Sequence, residues 1–198
     1  MIKKKQAIQV MQEFVNGQID ANQFWDIYIN NKEIKNLLIK DMREIDKIAY
    51  FNPLTIENLF NINDLYDRYE LFEMIRRYLY RNNIPYIDNN KESKLIHFIQ
   101  DCQPSWLDIR NEKFWENILS GIDITKANNK KLIKEKILSM FEYEKQPPVW
   151  LQSPEWPFNG NLQPLKFLEQ KKINDNCIQY LFLEKNTNEI ITIEQYDW

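Results

Sequence analysis

Apolar positions recur at helical spacing through the first three quarters of the chain, and then the pattern changes. The spacing predicts a helix over 3–16, with Ile8, Met11 and Val15 on one stripe and Phe14 beside it. Gly17, after Asn16, is the expected stop, since glycine tolerates the left-handed conformation at a helix end. Asp20 opens the next helix. Its carboxylate can accept from a free backbone N–H, and Gln23 three residues on completes a capping-box pattern. That helix carries Phe24, Trp25, Ile27 and Tyr28, is interrupted at Asn30-Asn31, and gives way to a stripe of Ile34, Leu37 and Leu38. Tyr50-Phe51-Asn52-Pro53 is a break, because proline pushes the preceding residue out of helical geometry. Thr55 caps a short helix through Phe60. Asn63 or Asp64 then starts the longest helix, to about Arg81, with Leu65, Tyr69, Phe72, Ile75, Arg76 and Leu79 at helical spacing. Asp64, Asp67 and Glu70 lie early in it and Arg76, Arg77 and Arg81 late, the polarity that a helix dipole favours. After a polar loop from Asn82 to Asn90, further helices are expected over 91–101, from Asp108 to Leu119 with a stop at Gly121, and from Thr125 to Glu144.

At residue 146 the composition shifts. The segment 146–158, with Trp150 and Trp156, holds four prolines and two tryptophans. Such a segment has few backbone donors and loses little entropy on ordering, so it reads as an extended arm packed onto something. Three strand-like runs follow, at 164–172, 177–185 and 189–196, separated by Asn174-Asp175-Asn176 and Asn186-Thr187-Asn188. The middle run, Cys177 to Leu183, is apolar on both faces and belongs at the centre of a sheet. A lone three-stranded meander is marginal, so it should pack on helices. The expectation is an α+β fold with about seven to nine helices followed by a C-terminal three-stranded antiparallel meander. Its helical part is 1–145 and its arm and meander are 146–198, together forming one cooperative domain.

Composition narrows the function classes. The chain has 198 residues, 26 Lys+Arg, 29 Asp+Glu and one histidine, with 43% apolar residues, which is a globular composition. At this length roughly 70% of the unfolded surface can be buried, so neither disulfides nor a metal is required. No run approaches the ~20 apolar residues of a membrane span. The N-terminus is basic but then amphipathic, which is not a signal peptide. Cys102 and Cys177 are far apart and read as reduced thiols of a cytoplasmic protein. Three glycines leave no Gly-rich phosphate loop and no dinucleotide fingerprint.

Candidate chemistry is sparse. His97 lies between Ile96 and Phe98, with no second histidine and no cysteine at ligand spacing, so a half-buried or surface role is favoured over base or metal ligand. None of the five serines sits in a nucleophile motif. The basic run Lys126 to Lys136 reads as a solvated helix face rather than a phosphate-binding patch, given the acidic residues nearby. Neither an enzymatic activity nor a cofactor, a metal, a nucleic acid or a membrane is expected. Trp150 and Trp156 could be anchors for a partner, but a clamp between the meander and the helices is favoured.

The opening Phe14-Val15-Asn16-Gly17-Gln18-Ile19-Asp20-Ala21-Asn22-Gln23-Phe24-Trp25 and the arm Trp150-Leu151-Gln152-Ser153-Pro154-Glu155-Trp156-Pro157, leading into 164–170, carry a resemblance. With its small, acidic character, the chain resembles bacterial immunity proteins of toxin–immunity pairs, as in contact-dependent growth inhibition and related polymorphic toxin systems. The resemblance implies a non-enzymatic protein that binds and neutralises a cognate toxin domain, often a nuclease with a basic cleft. Complementary charge would speed encounter and a few buried anchors would hold the complex. Residues 146–198 hold four basic and seven acidic residues, whereas 1–145 hold 22 of each. The expected partner-binding residues are therefore Glu155, Trp156, Glu169, Asp175, Glu184, Glu189, Glu194 and Asp197. The alternative is a structural or regulatory interaction module without a toxin.

Overall fold

A computed structural model describes residues 2–41 and 60–197. The expected break at Tyr50–Pro53 and nearly all of the helix capped by Thr55 lie outside the described residues. Among those described there are seven helices and one antiparallel sheet, so the fold is α+β with a C-terminal meander. The chain divides into two compact units, Met1–His97 and Phe98–Trp198. The composition change at residue 146 falls inside the second.

The first unit is built on α1 (Ile2–Val15), α2 (Ala21–Asn30), α3 (Lys32–Asp41) and α4 (Leu65–Arg81). Each start has a local cause. Asp20 Oδ1 accepts from the Gln23 N–H and the Asp20 N–H donates to Gln23 Oε1, both at 2.9 Å, closing the capping box that the sequence announces. Asn31 Oδ1 accepts from Glu33 and Ile34 at the head of α3. Asp64 Oδ1 does the same for Tyr66 and Asp67 at the head of α4. The helices bury Ala7, Met11, Phe14, Phe24, Tyr28, Ile34, Phe72, Ile75 and Leu79. Phe14 stacks on Phe24 at 4.6 Å between ring centroids and meets Phe72 edge-on at 6.2 Å. Helix α1 ends in a Schellman arrangement: Gly17, at φ +71°, donates to Phe14 O and Gln18 donates to Glu13 O. The polar loop 82–90 is tied to this helix end. Gln12 Nε2 donates to Pro85 O at 2.6 Å, Ile87 N to Asn16 Oδ1 at 2.7 Å, and Asn89 N to Val15 O at 3.3 Å.

Helix α5 (Lys91–Cys102) carries the chain into the second unit, which holds α6 (Glu112–Leu119) and α7 (Ala127–Met140). Both are shorter than their periodicity predicts. Helix α6 does not begin at Asp108, because Asn111 Oδ1 caps it by accepting from Phe114 N, while Ile109 O is taken by the Trp115 indole N–H at 2.8 Å. Thr125 is held in a turn by Asp123, so α7 starts two residues later. The far end of α7 stops at Met140 because the next residues pair with the sheet: Phe167 N donates to Glu142 O and Glu144 N donates to Phe167 O.

The sheet has the order β1 (Lys166–Asn174), β2 (Cys177–Glu184) and β3 (Glu189–Tyr196), all antiparallel, with β2 central as its two-sided apolar pattern demands. The first strand begins at Lys166 rather than at 164, since Pro164 sits in an isolated bridge with Phe158. The β1–β2 register is shifted at two places, Phe167/Glu169 and Lys172/Asn174, whereas β2–β3 runs through eight unbroken pairs.

One sheet face carries Phe167, Gln170, Tyr180, Phe182 and Gln195, and the Trp/Pro arm lies on it. Trp156 packs against Phe141, Phe182 and Phe167, and Trp150 against Tyr180 at 4.6 Å. Phe158 extends the cluster to Phe114 on α6. Both indoles are satisfied, Trp150 by Trp106 O and Trp156 by Leu165 O. The arm's backbone is bonded by one side chain from each strand. Gln170 accepts from Val149 N at 2.7 Å. Tyr180 Oη accepts from Leu151 N at 2.7 Å and donates to Val149 O. Gln195 accepts from Gln152 N and donates to Ser153 O. The arm thus satisfies backbone groups that a proline-interrupted chain cannot pair with itself.

Candidate interaction surface

The seven carboxylates expected to meet a partner all belong to the second unit, and they do not converge. Glu155 is exposed on the arm. Glu169 and Glu194 occupy the sheet face opposite the arm, where Glu194 pairs across with Gln179. Glu184 and Glu189 are direct cross-strand partners beside the β2–β3 turn. Asp175 lies in the β1–β2 turn at the other end of the sheet. Asp197 lies beside it, its N–H donating to Asn176 O. Two faces and both ends are therefore populated.

Most of these acids already have local partners. Glu169 pairs with Lys171 at 2.8 Å and Asp175 with Lys172 at 2.7 Å. Glu184 accepts from Asn186 N, and Glu189 meets the Thr187 hydroxyl. Glu194 accepts from the Tyr196 hydroxyl and from Gln179 Nε2. These bonds hold its pKa below the usual carboxylate range, and the hydrogen bond to Glu194 is the chief cause that pushes the Tyr196 hydroxyl up to about 12. Glu194 is thus a fixed anion on an ordered strand.

Trp156 is placed differently from expectation. It is 7% exposed, and its ring is taken up by contacts within the unit, so it has no surface to offer a partner as an anchor. Between the two readings of the arm, the packing is that of a clamp.

A groove of about 390 Å³ opens between the end of α7, the arm and the β2–β3 turn. Met140, Asn159, Gln163 and Leu183 line it, with Glu184 at its rim. Lys185 Nζ reaches across it to both carboxylate oxygens of Glu142. The Asn159 amide is occupied by Asn161, Gln163 and its side chain. The groove wall is an internally bonded structure rather than a set of free ligand-binding groups.

The other candidates are quickly placed. His97 is exposed, with Nε2 3.3 Å from the Tyr69 hydroxyl. Burial and then the Glu73 and Glu70 charges raise the Tyr69 pKa, so the phenol stays protonated at neutral pH. Cys102 is buried, its thiol bonded to Lys130 O and pushed up to about 11 by desolvation, so it is not a nucleophile at neutral pH. In the basic run, Lys126 meets Asp123, Lys130 meets Asp101 and Lys131 meets Glu135. Among the described residues no three of His, Cys, Asp and Glu converge as metal ligands, and no helix is long and apolar enough to cross a membrane.

Sequence reasoning missed Gln170, Tyr180 and Gln195. A buried Gln in a strand signals a polar partner above the sheet, but only the register shows that the three share a face. The chain matches no protein-family model, and no curated protein or solved structure shows significant similarity to it.

Proposed function

We propose that this chain is a non-enzymatic cytoplasmic protein that binds and neutralises a cognate bacterial toxin domain, as its resemblance to immunity proteins implies. The observation that carries the reading is a set of exposed carboxylates on the second unit, held on an ordered scaffold. Glu155 on the arm, Glu169, Glu189 and Glu194 on the strands, and Asp175 and Asp197 at one end of the sheet are exposed, and the sheet is fastened by the Trp/Pro arm. A surface that needs no ordering on association loses little entropy when it binds. Acidic charge on it steers a basic partner and penalises an acidic one. The carboxylates are spread over two faces, so the reading calls for a partner that wraps one edge or face, not one that inserts into a cleft.

The test is co-expression with the product of the adjacent gene, affinity purification, and a viability assay. A one-to-one complex, with toxicity only when this chain is absent, supports the reading. A harmless neighbour that forms no complex removes it.

A further inference from the structure

The two edges of the sheet are treated differently. Along β1, Phe167 is paired by the 142–144 segment, the strand carries two register shifts, and Lys166, Lys171 and Lys172 stand on it. Pairing, bulges and lysines are the usual means of preventing another strand from adding to an edge. Strand β3 has neither bulges nor lysines, and its end is engaged by the arm, Gln152 Nε2 donating to Tyr196 O at 2.6 Å. It contains no lysine, arginine or proline, its register with β2 is unbroken, and among the described residues no strand pairs with its other side. Four consecutive β-branched residues, Ile190 to Ile193, form its middle, and Ile190 is 59% exposed. From Glu189 to Glu194 this regular edge has no strand beside it among the described residues and carries an apolar flank, which together form a template for strand addition.

Charge selects the occupant. From Asn186 to Asp197 there are three acids, Glu189, Glu194 and Asp197, and no basic residue. A second copy pairing along the same edge would bring six carboxylates together with no cation between them, and like charges across a strand pair are destabilising. An extended basic segment has the opposite sign. Glu189 and Glu194 are five residues apart and point to opposite faces, since side chains alternate along a strand. A strand laid alongside therefore meets both when it carries cations five residues apart, with apolar or β-branched residues between.

We infer that the β3 edge from Glu189 to Glu194 is a strand-addition site for an extended basic segment of the partner, with Glu189 and Glu194 as its two charge contacts. This deepens the toxin-binding reading and, in its identification of the partner, rests on it.

The experiment uses the full chain and short labelled peptides with lysines five residues apart and valine and threonine between. A matching peptide has glutamate for lysine, and a third is the basic peptide with alternate backbone nitrogens methylated. Binding is followed by fluorescence anisotropy and by amide hydrogen exchange. The basic peptide is expected to bind about tenfold more tightly than the acidic one, the two contacts each contributing as a cross-strand ion pair. New protection should be confined to Ile190–Glu194. Methylation should abolish binding, and E189K/E194K should reverse the charge preference. Equal binding of the two charged peptides, or protection located elsewhere, overturns the inference. So does the absence of binding by the basic peptide to folded protein, or a dimer whose protected amides are those of β3. A toxin complex that forms unchanged with E189K/E194K overturns the edge site and leaves the immunity reading standing. Binding of the basic peptide at β3 beside a harmless gene neighbour does the reverse.

Discussion

Replacing Gly17 by alanine should be among the most damaging single-methyl changes in the first unit. Two effects act there. Gly17 sits at φ +71°, where an alanine costs about 1 kcal/mol from the approach of its Cβ to the carbonyl oxygen. In addition, the new Cβ would lie 2.5 Å from the backbone oxygen of Asn89. That oxygen cannot rotate away. The loop must move, and it is bonded to the end of α1 through Pro85, Ile87 and Asn89. Losing two of those bonds, at about 1 kcal/mol each, brings the total to about 3 kcal/mol. Gly121 supplies the control. Its φ is +73°, but nothing lies within 4 Å of the added methyl, so Gly121→Ala should cost only the backbone strain of about 1 kcal/mol. Urea denaturation followed by far-UV circular dichroism gives both values, each from its own transition. Hydrogen exchange should show the Ile87 and Asn89 amides losing protection in Gly17→Ala alone. Equal destabilisation by the two substitutions, with the loop amides unchanged, would refute the argument that the close approach to Asn89 sets the cost.

Tyr180→Phe removes a hydroxyl that bonds Leu151 N and Val149 O, and should lower stability by about 1–2 kcal/mol in urea denaturation, with faster exchange at Leu151. An unchanged midpoint would mean that water replaces the hydroxyl. Burial opposes the charge of Glu73, but the Arg76 hydrogen bond and the Arg76 and Arg77 charges prevail and leave its pKa lowered. Its stabilisation is therefore present above the ordinary carboxylate pKa and is lost as pH falls through the lowered value. Glu73→Gln should flatten that acid limb in denaturation curves taken across pH, and an unaltered slope would count against it. Both thiols are buried and that of Cys102 titrates at about 11, so an aromatic disulfide reagent at mildly alkaline pH should label them only after denaturant is added. Rapid labelling of the native protein would contradict their burial.

The parts of the fold visible in the sequence are those governed by neighbours in the chain. Asp20 and Gln23 are three residues apart and form their capping box whatever surrounds them, and Asp64 likewise starts α4. The central position of β2 follows from its own two-sided pattern. Errors arise where a distant partner decides. Nothing near Met140 says that α7 should stop, because the cause is Phe167, which recruits 142–144 into the sheet. Glu112 starts α6 because Asn111 outcompetes Asp108, which is engaged by Arg110. For the interaction surface, the sign of the charge is legible and its arrangement is not. Glu169 and Glu194 share a face and Glu184 and Glu189 are opposite one another only through the register, bulges included. Trp156 illustrates the same limit, since a tryptophan in such an arm suits a clamp or an anchor and its burial shows which contacts it makes.

The arm also acts as a proofreader of strand register. Its three fastenings, Gln170, Tyr180 and Gln195, come from three different strands. Slipping any strand by one residue turns its fastening to the opposite face. A mis-registered sheet therefore offers the arm at most two of the three, and leaves a backbone donor of residues 149–152 without its side-chain acceptor. Only the native alignment lets the arm close with all three bonds, and because the paired residues are 21 to 43 positions apart that closure carries the larger loop-closure cost. Damage to a fastening should then appear less as a missing contact than as a sheet populating more than one alignment. Its most exposed alternative would be in β3, whose other edge has no pairing strand among the described residues to keep it in place.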